Sequence, residues 1–377
     1  MTKKESGFIV SGVFAPLMGI LRFGDVSTDN NIFKLHYRVT VVLLSVFTLM
    51  ISSKQFFGEP IHCIGDDDKH KDATNSYCWL YGTYTVQKHL KGVVGTNMAH
   101  FGVGPHVPGE GGELNHQYYQ WVCIILPLQA FLFYLPHALW KVFEGGRIKG
   151  LTDGLNSPSM PTEWDEERRL RLIKHLIDTN LFTRNFFAYQ FFLCEMLNFG
   201  NVILQIFFLD KFLAGMFSGY GATVIAYYRN PLDTSIVNPM EHIFPKVTKC
   251  LFKIYGSSGS IQTRDLMCIL PLNIINEKVF IFMWFWLIFL AIISGLALIY
   301  RFFALTSPCL RAYIIMTQAK LVPKYHIYQI IAKFRAGDWF VLHLIGKNVN
   351  CFVFKDLITL LGQELDKNNN KKDCDII

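Results

Sequence analysis

Four runs of about twenty apolar residues constrain this chain more than any other feature. Residues 39–57 hold one charge, Lys54, near one end; residues 121–139 and 279–300 hold none; residues 186–209 hold one acid, Glu195. A helix of about 20 residues crosses the hydrocarbon core of a bilayer, where every backbone N–H and C=O must find its partner within the protein. Helices meet that demand and open strands do not. The composition agrees: 51% of the 377 residues are hydrophobic, 33 are Phe and only 17% are charged. Such a chain has lipid as part of its solvent. The expected fold class is an all-α integral membrane protein built on a four-transmembrane-helix bundle.

The second run shows how the bilayer shapes local sequence. Residues 116–141 read HQYYQWVCIILPLQAFLFYLPHALWK. Aromatic residues open the run and a Trp-Lys pair closes it, the pattern of interfacial belts and basic flanks. Pro127 and Pro136 lie inside it. Proline is tolerated in a membrane helix when neighbouring helices satisfy the freed backbone groups. Pro136 predicts a helix kink in a packed bundle, whereas Pro127 has no evident role.

Orientation follows from Lys and Arg. The N-terminal arm, the middle loop and the tail lie on one side by parity, and they hold 24 of the 36 basic residues. The two long loops hold 11, with Lys54 at a span edge. The positive-inside tendency makes both termini cytoplasmic. The expected organisation is an arm at 1–37, spans at 38–57, 119–140, 185–209 and 279–301, extracellular loops at 58–118 and 210–278, a cytoplasmic loop at 141–184 and a cytoplasmic tail at 302–377. Of nine cysteines, Cys63 and Cys78 fall in the first outer loop, and Cys250 and Cys268 in the second. Polar, loop-like neighbours favour disulfides formed in an oxidising compartment over four small apolar side chains.

Between the spans the patterns are shorter. The first outer loop predicts a turn-rich segment with one strand in WLYGTYTV. In the middle loop Thr162 is placed to cap a helix with Asp165 three residues on, and Asp165–Arg169 and Glu167–Arg171 are spaced as i,i+4 pairs of a solvated helix. The tail predicts packed helices, two of them flanking Gly346-Lys347-Asn348, with Phe354, Leu357, Leu360 and Leu361 on one face. Only KNNNKKDCDII at its end is expected to lack structure. A membrane-tethered tail has no duplex to read, so nucleic acid is not an expected partner. The N-terminal FIVSGVFAPLMGIL follows Lys3-Lys4 but has no small-residue cleavage site. It reads as an uncleaved amphipathic helix too short to span. No P-loop, dinucleotide fingerprint, CxxC pair, HExxH or GxSxG occurs, so no enzyme activity, cofactor or metal is expected.

Along nearly its whole length the chain resembles the innexins, the invertebrate gap-junction proteins. The family signature stands at Tyr118, Tyr119, Gln120 and Trp121. Around it lie DNNIFKLHYR (29–38), GEPIHC (58–63), YCW (77–79), GVGPHV (102–107) and FYLPHALWK (133–141). FPKVTKC (244–250), YGSSGSIQT (255–263), CILPLNIINEK (268–278) and GDWFVLHLIGKN (337–348) complete the series. The resemblance implies a ring of subunits around an aqueous pore, an octamer in rings of known structure, docked head-to-head with a hemichannel of the apposed cell. It implies passive passage of ions and small hydrophilic molecules, membrane lipids and other innexins as partners, and a plasma-membrane gap-junction location. It also implies the pairings Cys63–Cys268 and Cys78–Cys250, small β-containing disulfide-linked extracellular loops, a helical cytoplasmic dome, and an N-terminal helix folded into the pore entrance. Pro127, the run GDDDKHKD and the residues before Gly7 depart from the common pattern.

Several residues keep two readings. Phe8, Ile9, Val13 and Phe14 either narrow the pore entrance or pack against the first two spans. Glu195, an acid in mid-span, is a functional candidate by default; a packing role, hydrogen-bonded to a neighbouring helix, is favoured. Six of the twelve histidines fall in the first outer loop and read either as pH sensors or as exposed loop residues. The acidic run of Asp66, Asp67, Asp68 and Asp72 either concentrates cations or forms a solvated patch. The function expected is a gap-junction channel subunit; the alternative is a four-span adhesion or scaffold protein without its own pore.

Overall fold

The computed structural model describes residues 26–65, 71–90, 99–105, 112–157, 161, 163–178, 181–229, 238–319 and 322–374. Phe8, Ile9, Val13, Phe14, Thr162 and the acidic run apart from Asp72 lie outside them. Four helices are long and apolar enough to cross a membrane: Asn31–Phe57, Val122–Glu144, Arg184–Phe212 and Pro271–Thr306.

Local chemistry sets where they start. Asn30 is extended (φ −85°, ψ 167°) and its side chain accepts from the Phe33 N–H at 2.6 Å, so the first helix begins at Asn31, two turns ahead of the apolar run. Its residues Leu35–Thr40 form a π-helical turn. The second helix runs unbroken through Pro127 and Pro136. The fourth begins at Pro271, whose fixed φ suits a first turn. Its 36 residues extend about 54 Å, well beyond a hydrocarbon core of about 30 Å.

The chain divides into two compact units. One comprises Thr40–Leu132 and Asn201–Ala291. Its centre is a five-stranded antiparallel sheet of β1 (His62–Ile64), β2 (Thr83–Val86), β3 (Glu113–His116), β4 (Val247–Tyr255) and β5 (Ile261–Ile269), in the order β1-β5-β4-β2-β3. β4 and β5 form a hairpin whose pairs run from Val247↔Ile269 to Tyr255↔Ile261. Residues 71–81, expected as loop, are a helix, Lys71–Tyr81. Gly82, at φ +88°, ends it by donating its N–H to the Cys78 carbonyl at 3.1 Å, and β2 follows at once. Aromatic and β-branched residues around that glycine resemble one strand because a single left-handed residue separates the two elements.

The other unit comprises Met1–Val39, Phe133–Gly200 and Ile292–Ile377. Its core gathers Trp140, Phe187, Phe191, Trp339, Phe340, Phe354, Leu357 and Leu361. Helix Ala336–Asn348 is buried on nearly every side, which explains its weak amphipathic pattern. Helix Cys351–Cys374 continues into the stretch expected to lack structure, since extending an existing helix avoids the cost of nucleation. The middle-loop helix starts at Glu166. Glu167 and Arg171 pair at 3.6 Å, but Arg169 turns to the Trp164 carbonyl (3.2 Å) and Asp356 (3.4 Å). Leu172, Ile173 and Leu176 are buried, so this helix packs and is not merely solvated.

Candidate functional site: a stapled sheet and a buried polar network

Two clusters concentrate the unusual chemistry. The first is the sheet, whose strands β1, β2 and β3 come from the loop after the first long helix and β4 and β5 from the loop before the fourth. Cys63 and Cys268 are cross-strand partners and are disulfide-bonded; Cys78, on helix Lys71–Tyr81, is bonded to Cys250 on β4. The bonds close separations of 205 and 172 residues. Closing such long segments removes much of the unfolded chain's freedom, with typical stabilisation of about 2–4 kcal/mol each. Asn75 accepts from the Cys63 N–H at 2.8 Å, and Lys249, buried in β4, reaches Asp265 at 2.5 Å and the Gly104 carbonyl at 3.0 Å.

The four residues Tyr118, Tyr119, Gln120 and Trp121 fasten this stapled helix to the head of the second long helix. Tyr118 is packed edge-on to Phe244 (5.5 Å between centroids) and Phe212 (6.5 Å). Tyr119 is fully buried against Trp79 at 4.7 Å, and burial pushes its phenol up to about 12. Gln120 donates to the Trp79 and Leu80 carbonyls, otherwise orphaned at the end of helix Lys71–Tyr81, while Gln117 donates to the Tyr81 carbonyl at 3.0 Å. Trp121 remains 56% exposed.

Three of the described loop histidines engage partners through their side chains. His62 pairs with Glu59 at 2.7 Å, His89 meets the Pro105 carbonyl at 3.2 Å, and His116 meets Thr85 at 2.8 Å. Burial, with His242 nearby, pushes His116 down to about 4. His70 and His106 lie outside the described residues.

The second cluster surrounds residues 27–30. Glu195 is 7% exposed and accepts two hydrogen bonds from Arg301, at 2.8 and 2.9 Å, plus one from Asn30 at 2.6 Å. The guanidinium lies 5.1 Å from the Phe191 ring centre and 5.7 Å from that of Phe340. Asn30 thus caps the first long helix with its oxygen and holds Glu195 with its nitrogen. Tyr37 donates to Asp29 at 3.1 Å, and Trp140 donates to Thr28 at 3.3 Å. Asn348 accepts from the Ser27 N–H at 2.7 Å and donates to its carbonyl at 3.0 Å; Lys347 donates to the Asp29 carbonyl. Four helices therefore hold one four-residue linker.

Sequence patterning singled out Glu195 but missed Arg301 and Asn30. The available signal was a lone acid in one apolar run and an Arg directly after another; opposite charges in separate spans are natural partners. Nothing in the pattern specified the linker's bonds, which join it to residues as far as 321 positions away.

Comparison with known proteins gives a consistent assignment. The family model described as Innexin matches residues 29–365. Innexin inx2 of Schistocerca americana is 45% identical over 355 residues, 94% of this chain and 98% of the relative. Innexin inx2 of Drosophila melanogaster is 45% identical over 353 residues, covering 94% and 95%. Innexin shaking-B of Drosophila melanogaster is 37% identical over 360 residues, covering 96% of each chain.

Proposed function

We propose a channel mechanism for this chain, which belongs to the innexin family, from the way its outer sheet is built. Innexins are gap-junction channel proteins, and the chain is a multi-pass gap-junction channel subunit. Neither the family nor the relatives' names favour an adhesion scaffold without a pore.

The finer reading is ours. Subunits form a ring, an octamer by resemblance, with both termini in the cytoplasm and the β1–β5 sheets facing the apposed cell. Rings dock head-to-head through those sheets, alone or mixed with other innexins, and solutes flow passively down their gradients through the shared pore. One observation supports this most: both loops join in one sheet, closed by two disulfides. A docking surface fixed before contact has little ordering entropy left to lose on association. The arm at 1–37 enters the cytoplasmic mouth, with Phe8, Ile9, Val13 and Phe14 as candidate pore-entrance residues. The linker at 27–30 anchors its base.

The test pairs two cells that both express the chain. Junctional conductance with transfer of a small hydrophilic dye is the expected result. Stable adhesion with neither would overturn the channel reading. Imaging the purified assembly counts its subunits.

A further inference from the structure

The interior of the helical bundle contains polar atoms that its hydrogen bonds do not explain. His36 lies in the π-helical turn Leu35–Thr40 and is wholly buried. One ring nitrogen, Nε2, meets Ser294 Oγ at 3.3 Å; the other, Nδ1, has no protein partner among the described residues. Asn198 is 3% exposed, and both its amide nitrogen and its amide oxygen are likewise without one. Buried polar groups are almost always bonded, because an unmade hydrogen bond leaves the full desolvation penalty standing.

These groups meet at one place. His36 and Asn198 border the same small cavity, together with Asn30, Glu195 and Ser294 among the polar residues and Phe33 among the apolar ones. Its volume is about 10 Å³, roughly what the centre of one water molecule occupies. An apolar cavity of that size stays dry; one bordered by unpaired donors and acceptors does not. Lone π turns are also common at functional sites, since the extra residue in the turn re-aims neighbouring side chains.

We propose that this cavity is a binding site for a single structural water, which bridges His36 Nδ1 to the Asn198 amide. The water has the two or more polar partners that a resident molecule requires. Either neutral tautomer of His36 serves, because water both donates and accepts. A cation is disfavoured there: Arg301 already neutralises Glu195, leaving Asn198 and Ser294 as uncharged oxygen ligands. The site joins the first, third and fourth long helices beside the Asn30–Glu195 bond, so it completes the polar network that holds the linker.

High-resolution imaging of the detergent-solubilised full-length channel tests this directly. The expected result is one discrete density within hydrogen-bond distance of His36 Nδ1 and the Asn198 amide. Its absence, or side-chain density filling the space, overturns the proposal. So does a density with four or more ligands closer than 2.5 Å that changes when sodium is exchanged for thallium, because that marks a cation. Thermal stability gives a second readout. Asn198→Leu and His36→Phe should each lower the unfolding midpoint by stranding the partner, and the double variant should recover part of the loss. Strict additivity of the two shifts would argue against a shared water.

Discussion

The stapled sheet and the linker network solve one problem, holding distant chain segments together, by opposite means. The sheet joins segments 205 and 172 residues apart with covalent bonds. The linker joins Ser27 to Asn348 and Asn30 to Glu195 with hydrogen bonds alone. A disulfide persists only where the surroundings are oxidising, and it cannot exchange partners without redox chemistry. A hydrogen bond contributes only about 1 kcal/mol net, so a set of them can break and re-form. The sheet is thus suited to a surface that must keep its shape, and the linker to a joint whose bonds can exchange.

The largest expected effect comes from opening the staples. Cys63→Ser or Cys268→Ser should abolish junctional conductance between paired cells, and Cys78→Ser should do nearly as much. Each removes about 2–4 kcal/mol of constraint from a small sheet whose β1 has only three residues. Normal coupling in any of these variants would mean that docking does not need the staple removed, and the contrast with the linker would weaken.

The ion pair in the linker network comes next. Arg301→Met leaves Glu195 buried without its partner, at a cost of about 3–5 kcal/mol, and should sharply reduce the yield of assembled protein in size-exclusion profiles. Glu195→Gln should do less, since an amide still accepts from Arg301 and Asn30. Glu195→Met with Arg301→Met should recover much of the yield, because apolar replacement of a buried pair is often neutral. If Glu195→Gln leaves both assembly and gating unchanged, the carboxylate's charge has no special role. If the double variant is no better than Arg301→Met, the pair does more than satisfy itself.

These two regions were unequally visible from sequence. Four apolar runs announce four spans, because lipid allows little else. Four cysteines in polar loops announce disulfides in the same way. Helix Lys71–Tyr81 was hidden, because its polar start reads as loop and Trp79, Leu80 and Tyr81 read as part of a strand until the left-handed Gly82 is known. The linker was hidden more deeply. Ser27, Thr28, Asp29 and Asn30 read as an ordinary polar stretch, and only tertiary packing reveals that Trp140, Glu195 and Asn348 converge on them. Covalent and solvent constraints leave marks in composition and spacing; hydrogen bonds between distant segments leave none.

A smaller effect is expected where the signature meets the stapled helix. Gln120→Ala withdraws the donor from the Trp79 and Leu80 carbonyls. The loss is about 1 kcal/mol, which should lower the midpoint of thermal unfolding by a few degrees without preventing coupling. A loss of coupling with an unchanged midpoint would show that Gln120 contributes to docking itself.

The smallest effect separates buried from half-buried histidines. Burial holds His116 in the sheet unit at about 4, and it holds His343, stacked on Trp339, at about 4 as well, with Arg301 and Lys347 opposing protonation too. Both are neutral between pH 6 and 8. As pH falls below the unfolded value of about 6.5, the unfolded chain takes up these protons first, so stability declines from there down to about 4. The unfolding midpoint should therefore be level between pH 7 and 8 and drop as the solution is acidified below 6.5. His116→Gln should blunt that drop. Hemichannel current should be level for external pH between 6 and 8; a pH response in that window, abolished by replacing His62 or His89, would favour a sensing role for these half-buried histidines.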